Sequence, residues 1–205
     1  VLAFVVYGAA EGGPVSWGYT YLTDARRLTH PVAAVGMAGF WAALTAGRFA
    51  LGWIGTRVHG VMLLDASCAL LVAGTLATWL LPGAATVAGL PLAGLGSAAM
   101  FPMLVALTPA RVGERGTGRT VGASIAGTAV GGPAAVALFG VIAAHLGTRS
   151  LAPCFVVAAA AMVLANHALT VAAGGRAPGS PAAATTSDRP LREGTEPPRL
   201  GNLRP

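Results

Sequence analysis

With 205 residues, 55% of them hydrophobic and only 10% charged, the chain has too little charge to cover a water-soluble surface of its size. Its mean hydropathy is +0.69. The formal charge of +6 comes from arginines set singly between apolar runs, which excludes the continuous basic face of a nucleic-acid binder.

The charge divides by position. From Gly174 onward there are five Arg against three acids, a balance of +2; the preceding residues hold eight Arg against four acids, a balance of +4. Six apolar spans, at 1–22, 31–53, 61–81, 84–109, 120–145 and 151–173, each approach the ~20 residues that a helix needs to cross a bilayer. The expected fold is therefore all-α, a polytopic integral membrane protein. Turn residues and charges collect in the short connections TDARRLTH, TRVHG, PG, RVGERGTGR and LGTRS. Arg57, Arg111, Arg115, Arg119 and Arg176 fall on one side, and Arg26, Arg27 and Arg149 on the other. Five against three places the first side, with the C-terminus, in the cytoplasm of a cell-membrane protein. Trp17, Tyr19, Tyr21 and Trp79 then form an outer aromatic belt.

The chain opens inside an apolar span, with no initiator Met and no charged segment ahead of it. That start is too long for a signal peptide and reads as a truncated front. At the other end, 174–205 is rich in Pro, Ala, Thr and Arg and has no aromatic residue, so a disordered cytoplasmic tail is expected there. The bundle proper is 1–173.

The first span carries the sharpest residue. Tyr7, Glu11, Pro14, Gly18 and Tyr21 share one helical face, so a carboxyl and two phenols look the same way. A carboxyl deep in a bilayer is costly when charged, which makes Glu11 a candidate proton carrier or cation ligand. In the second span Trp41, Thr45, Arg48 and Gly52 form a polar stripe, opposite the small residues Gly39, Ala43, Ala46 and Ala50. Arg48 inside an apolar run must find a partner or a water-filled cavity. Asp65, early in the third span, lies at a similar depth and is the expected partner. The pair, with Arg57 in the following turn, is read as a gate or a structural clasp. Cys68 and Cys154 lie inside apolar spans and read as hydrophobic filler.

Six spans divide as three plus three, with the first and fourth in corresponding places. Both carry helix-breaking residues near their middles: Gly12-Gly13-Pro14 in the first, and Gly94, Gly96, Ser97 and Phe101-Pro102 in the fourth. Matched breaks of this kind point to a transporter's binding site between inverted repeats. The fifth span adds Gly131-Gly132-Pro133 and a Ser124/Thr128 stripe. The expected contacts to solute or proton are Glu11, Tyr7, Trp17, Tyr21, Trp41, Thr45, Ser97, Phe101, Ser124 and Thr128.

In order and spacing these residues resemble the C-terminal half of a major facilitator superfamily transporter, within it the fucose-permease-like group. The resemblance runs through Tyr7-Gly8, Glu11, Trp17 and Tyr21-Leu22; then Phe40-Trp41, Gly47-Arg48 and Gly52; then Gly94, Gly96 and Phe101-Pro102. It implies secondary active transport of a small solute by alternating access, coupled to protons. A missing N-terminal six-helix half, or a second copy, would supply the other wall of the cavity. No cofactor, metal or enzymatic activity is implied. The turn after the second span departs from the family's motif: Thr56 stands where the motif has aspartate and His59 where it has glycine. A charge-based latch is not expected there.

Two rival classes remain. A rhomboid-type intramembrane serine protease would use Ser97 in the fourth span and His167 in the sixth, a minimal nucleophile–base pair. Ser97 is followed by Ala98 instead of glycine, and the second span offers no His or Asn for an oxyanion hole. A non-transporting membrane subunit would need neither Glu11 nor the matched breaks.

Overall fold

The computed structural model describes residues 1–55, 57–109 and 114–174. Thr56, Arg111, Arg176 and the tail expected at 174–205 (beyond its first residue) therefore lie outside the described residues, as does the side chain of Arg115. Among those described there are six α-helices and no strand: α1 Leu2–Thr20, α2 His30–Ile54, α3 Gly60–Leu80, α4 Gly89–Ala106, α5 Glu114–Leu146 and α6 Leu151–Gly174. Each covers one of the apolar spans. The protein is all-α, and five of the helical stretches are long and apolar enough to cross a membrane.

The exception is α1, and its composition explains why. Glu11, Gly12, Gly13 and Pro14 sit at its middle, and Trp17, Tyr19 and Thr20 at its end. It packs on α4, α5 and α6. Its Phe4, Tyr7, Ala10 and Gly13 are buried. A helix surrounded by other helices needs less apolar surface than one facing lipid. The turn after it is wound more loosely: a π-helix at Tyr21–Ala25 precedes Arg27, whose φ is 57°. A proline at the start of α2, where no intrahelical N–H is needed, sets the next entry.

Small residues decide which helices meet. On α4, a Cβ at Gly94 would strike the Phe40 carbonyl of α2, and one at Gly96 would lie 2.5 Å from the Leu71 nitrogen of α3. Gly74 of α3 likewise leaves no room between itself and Ala93, nor Gly89 between itself and Thr78. Helix α4 is thus clamped from both sides and separates α2 from α3. Between α1 and α5, a Cβ at Gly8 would come 3.0 Å from the Gly132 nitrogen, and one at Gly131 2.9 Å from the Val5 Cα. Two side chains span that seam: Trp17 Nε1 donates to the Val136 carbonyl at 2.9 Å, and Thr128 Oγ1 to the Phe4 carbonyl at 3.2 Å. Close backbone approach of this kind is how helices associate in lipid, where water exclusion supplies no drive.

These contacts correct the expectation of broken helices. Pro14, Pro102 and Pro133 all lie inside continuous α-helices, and Gly12-Gly13 interrupts nothing. Neighbouring helices hold the chain on both sides of each proline, so the lost backbone bond does not end the helix. The glycines serve packing: Gly12 faces Val136, and Gly13 faces the Phe139 and Phe155 rings.

Candidate functional site

The polar group that the fold assembles lies between α1 and α2. Tyr7 and Glu11 are one helical turn apart on α1, with the carboxyl's charge close to the phenol. Arg48 reaches across from α2. Its charge acts on both the Tyr7 phenol and the Glu11 carboxyl, although no hydrogen bond or ion pair joins the three among the described residues. Tyr7 is buried, Glu11 half-buried and Arg48 exposed, so the trio opens onto the surface of the six-helix unit. Phe101 of α4 closes the inner side, its ring 5.9 Å from Tyr7 and 5.8 Å from Phe4. Trp41 and Thr45 are exposed on the same stripe of α2 as Arg48.

This arrangement differs from the sequence expectation in its pairing. Asp65 is not the partner of Arg48. It accepts a hydrogen bond from Asn166 Nδ2 of α6 at 2.6 Å. The reason is the interposed α4: α3 turns towards α4 and α6, away from α2. Nor is Glu11 without a cation. Counted from the helix ends, Arg48 stands six residues before the end of α2 and Glu11 nine after the start of α1. The difference is about 4.5 Å of rise, less than an arginine side chain can span. Asn166 went unnoticed in the sequence because an asparagine in a long apolar run carries no spacing signal. Arg57 is also not part of an ion pair among the described residues; its guanidinium stacks 4.1 Å from the centre of the Trp53 ring.

Several other expected contact residues are committed to structure. Trp17 and Thr128 hold the α1–α5 seam. Tyr21 is buried, donates to the Thr78 carbonyl at 3.3 Å and packs edge-on to Phe155. Ser97 is buried, with its hydroxyl donating to the Ala93 carbonyl of its own helix at 3.1 Å. His167 lines a different region of the molecule, a cavity on α3 and α6 with Asp65, Cys68, Asn166 and Thr170. The Ser97–His167 pair that a protease would need is therefore not assembled in this cavity. Ser124 is fully buried with no hydrogen-bond partner for its hydroxyl, beside a small cavity also lined by Phe4, Thr108 and Thr120. No cluster of three metal-ligating side chains occurs among the described residues.

The pairing is open to a direct check. In double-mutant cycles on unfolding, Arg48→Ala and Glu11→Ala should couple by about 1 kcal/mol or more, whereas Arg48→Ala and Asp65→Ala should add within about 0.5 kcal/mol. Coupling to Asp65 and additivity with Glu11 would reverse the assignment.

Compared with known proteins, the chain matches no protein-family model, no curated protein and no solved structure.

Proposed function

We propose that this protein is a secondary active transporter, or one half of one, that moves a small polar or amphipathic solute by alternating access with coupling to protons. The observation that carries the reading is the Tyr7–Glu11–Arg48 group. An acid, a phenol and an arginine held together between two apolar helices cost folding free energy unless they meet water, solute or a proton. A carboxyl that exchanges one partner for another as a cavity opens and closes is the simplest use for such a group.

Two further features support the reading. Exchanging α1 with α4, α2 with α5 and α3 with α6 maps the main helix pairings onto one another: α1–α5 onto α4–α2, and α3–α4 onto α6–α1. That is the pairing pattern of two three-helix repeats. The trio also opens onto a face of the bundle, where a second six-helix unit, an N-terminal half or another copy, would complete the cavity. The arginine balance favours a cytoplasmic C-terminus.

A water-filled path can be tested before the solute is known. With Cys68→Ala and Cys154→Ala as background, Thr45→Cys should react with a membrane-impermeant thiol reagent, because the thiolate forms only where water reaches it. Leu138→Cys, an exposed apolar position on α5, serves as the lipid-facing comparison. Labelling at position 45 at least about tenfold faster supports the cavity. Equal inertness at both positions would place the Arg48 stripe in lipid and remove the reading.

A further inference from the structure

The opposite end of α1 leads to a second polar site, unconnected with the transport reading. A pocket of about 330 Å³ is lined by Tyr21, Ala25, Arg26, Trp79, Gly83 and Arg149. Two of these residues are arginines and none is an acid. Asp24, the acid nearest to Arg26 in sequence, accepts a hydrogen bond from Thr23 Oγ1 at 2.9 Å. The two cations arrive from separate elements, Arg26 from the turn after α1 and Arg149 from the 3-10 turn Thr148–Ser150 before α6.

The Arg26 guanidinium is held in place. Nη2 donates to the Leu81 carbonyl, and the group lies 6.0 Å from the centre of the Tyr21 ring. Its Nε–H is buried and has no hydrogen-bond partner. An unmatched buried donor on a fixed cation is costly, and an anion is the ligand that would satisfy both the donor and the charge. Gly83, also in the lining, has a φ of +53°, and a Cβ built there meets nothing within 4 Å. Trp79 also lines the pocket, and an indole N–H can only donate. The volume corresponds to about ten water molecules, enough for a phosphate with a small organic group attached.

We propose that this pocket binds a phosphate-class anion, with Arg26 and Arg149 as its two cationic contacts. Arginine forks match the oxygens of phosphate two at a time, and Trp and Tyr beside them are the residues that settle at headgroup level. The anion is either a soluble phosphate or the headgroup of an anionic phospholipid, and the chemistry of the contacts is the same for both.

The test uses the full 205-residue chain purified in phosphate-free detergent and titrated with two probes, inorganic phosphate and short-chain phosphatidylglycerol. Native mass spectrometry counts the bound molecules. Saturable one-to-one binding of either probe is expected, weakened about tenfold in Arg149→Gln and further in Arg26→Gln with Arg149→Gln. Binding of inorganic phosphate identifies a soluble anion as the ligand; binding of phosphatidylglycerol alone identifies a lipid headgroup. Arg149 is exposed and its replacement leaves the bundle packing intact, so this variant decides the matter even where the double variant fails to fold. Failure of both probes to saturate, or wild-type affinity in Arg149→Gln, would overturn the proposal.

Discussion

Glu11→Gln is expected to abolish proton movement that depends on solute while leaving solute exchange in place. Glutamine keeps the length and shape of the side chain and can still accept a hydrogen bond, but it cannot titrate. In the wild-type protein the carboxyl lies near both a phenol and an arginine, so taking up a proton and balancing the arginine's charge are alternatives. Coupled transport needs that alternation, since a gradient drives accumulation only if the proton's binding differs between the two states of the carrier. On the proposed transport function, vesicles carrying the protein, with a second six-helix unit if one is needed, loaded with a trapped pH-sensitive dye and offered a panel of neutral monosaccharides, report it directly. Wild type should acidify on addition of its solute, and Glu11→Gln should equilibrate labelled solute without acidification or accumulation. Arg48→Gln should impair the same readout by leaving the carboxyl without its alternative partner. Wild-type acidification in Glu11→Gln would make the residue a structural acid.

Bulk at the helix seams should have the largest effect on stability. Gly74→Val puts a branched side chain where even a single Cβ strikes the Ala93 backbone, and Gly94→Val does the same against the Phe40 carbonyl. Backbone cannot yield as a side-chain tip can, so each should cost about 3 kcal/mol or more, at the upper end of overpacking effects. Loss of the α3–α4 or α2–α4 contact would follow, seen as a lowered melting temperature and poor membrane yield. Gly52→Ala and Gly122→Ala are the matched controls. A Cβ at either position meets nothing within 4 Å, so exchange for a better helix former should be neutral or stabilise by up to about 1 kcal/mol. Equal effects at seam and control positions would mean that the helices do not approach as described.

The helices were legible because lipid-length apolar runs separated by short polar turns leave few alternatives. The six spans read from hydropathy coincide with α1 to α6, apart from shifts of a few residues at most ends. The largest is in α5, which starts at Glu114, six residues before its apolar run. Hydropathy marks where a helix is apolar and not where its hydrogen bonds stop. The unusual placing of Tyr7, Glu11 and Arg48 was also legible, since charged and phenolic groups inside apolar runs stand out in composition alone.

Partnership was not. Chain order suggested that α2 and α3, joined by a short turn, lie side by side and that Arg48 meets Asp65. Glycines at positions 74, 89, 94 and 96 instead draw α4 between them, sending Arg48 to Glu11 and leaving Asp65 to Asn166. Glycine and proline were equally ambiguous, because a residue that can break an isolated helix can also let two helices touch. Only the neighbours decide which. The sequence by itself determined the number of helices, their apolar character and which side chains are too polar to be there without a reason. The tertiary structure decided who pairs with whom, because contacts between helices depend on backbone approach at a few small residues, and that is a property of two surfaces together.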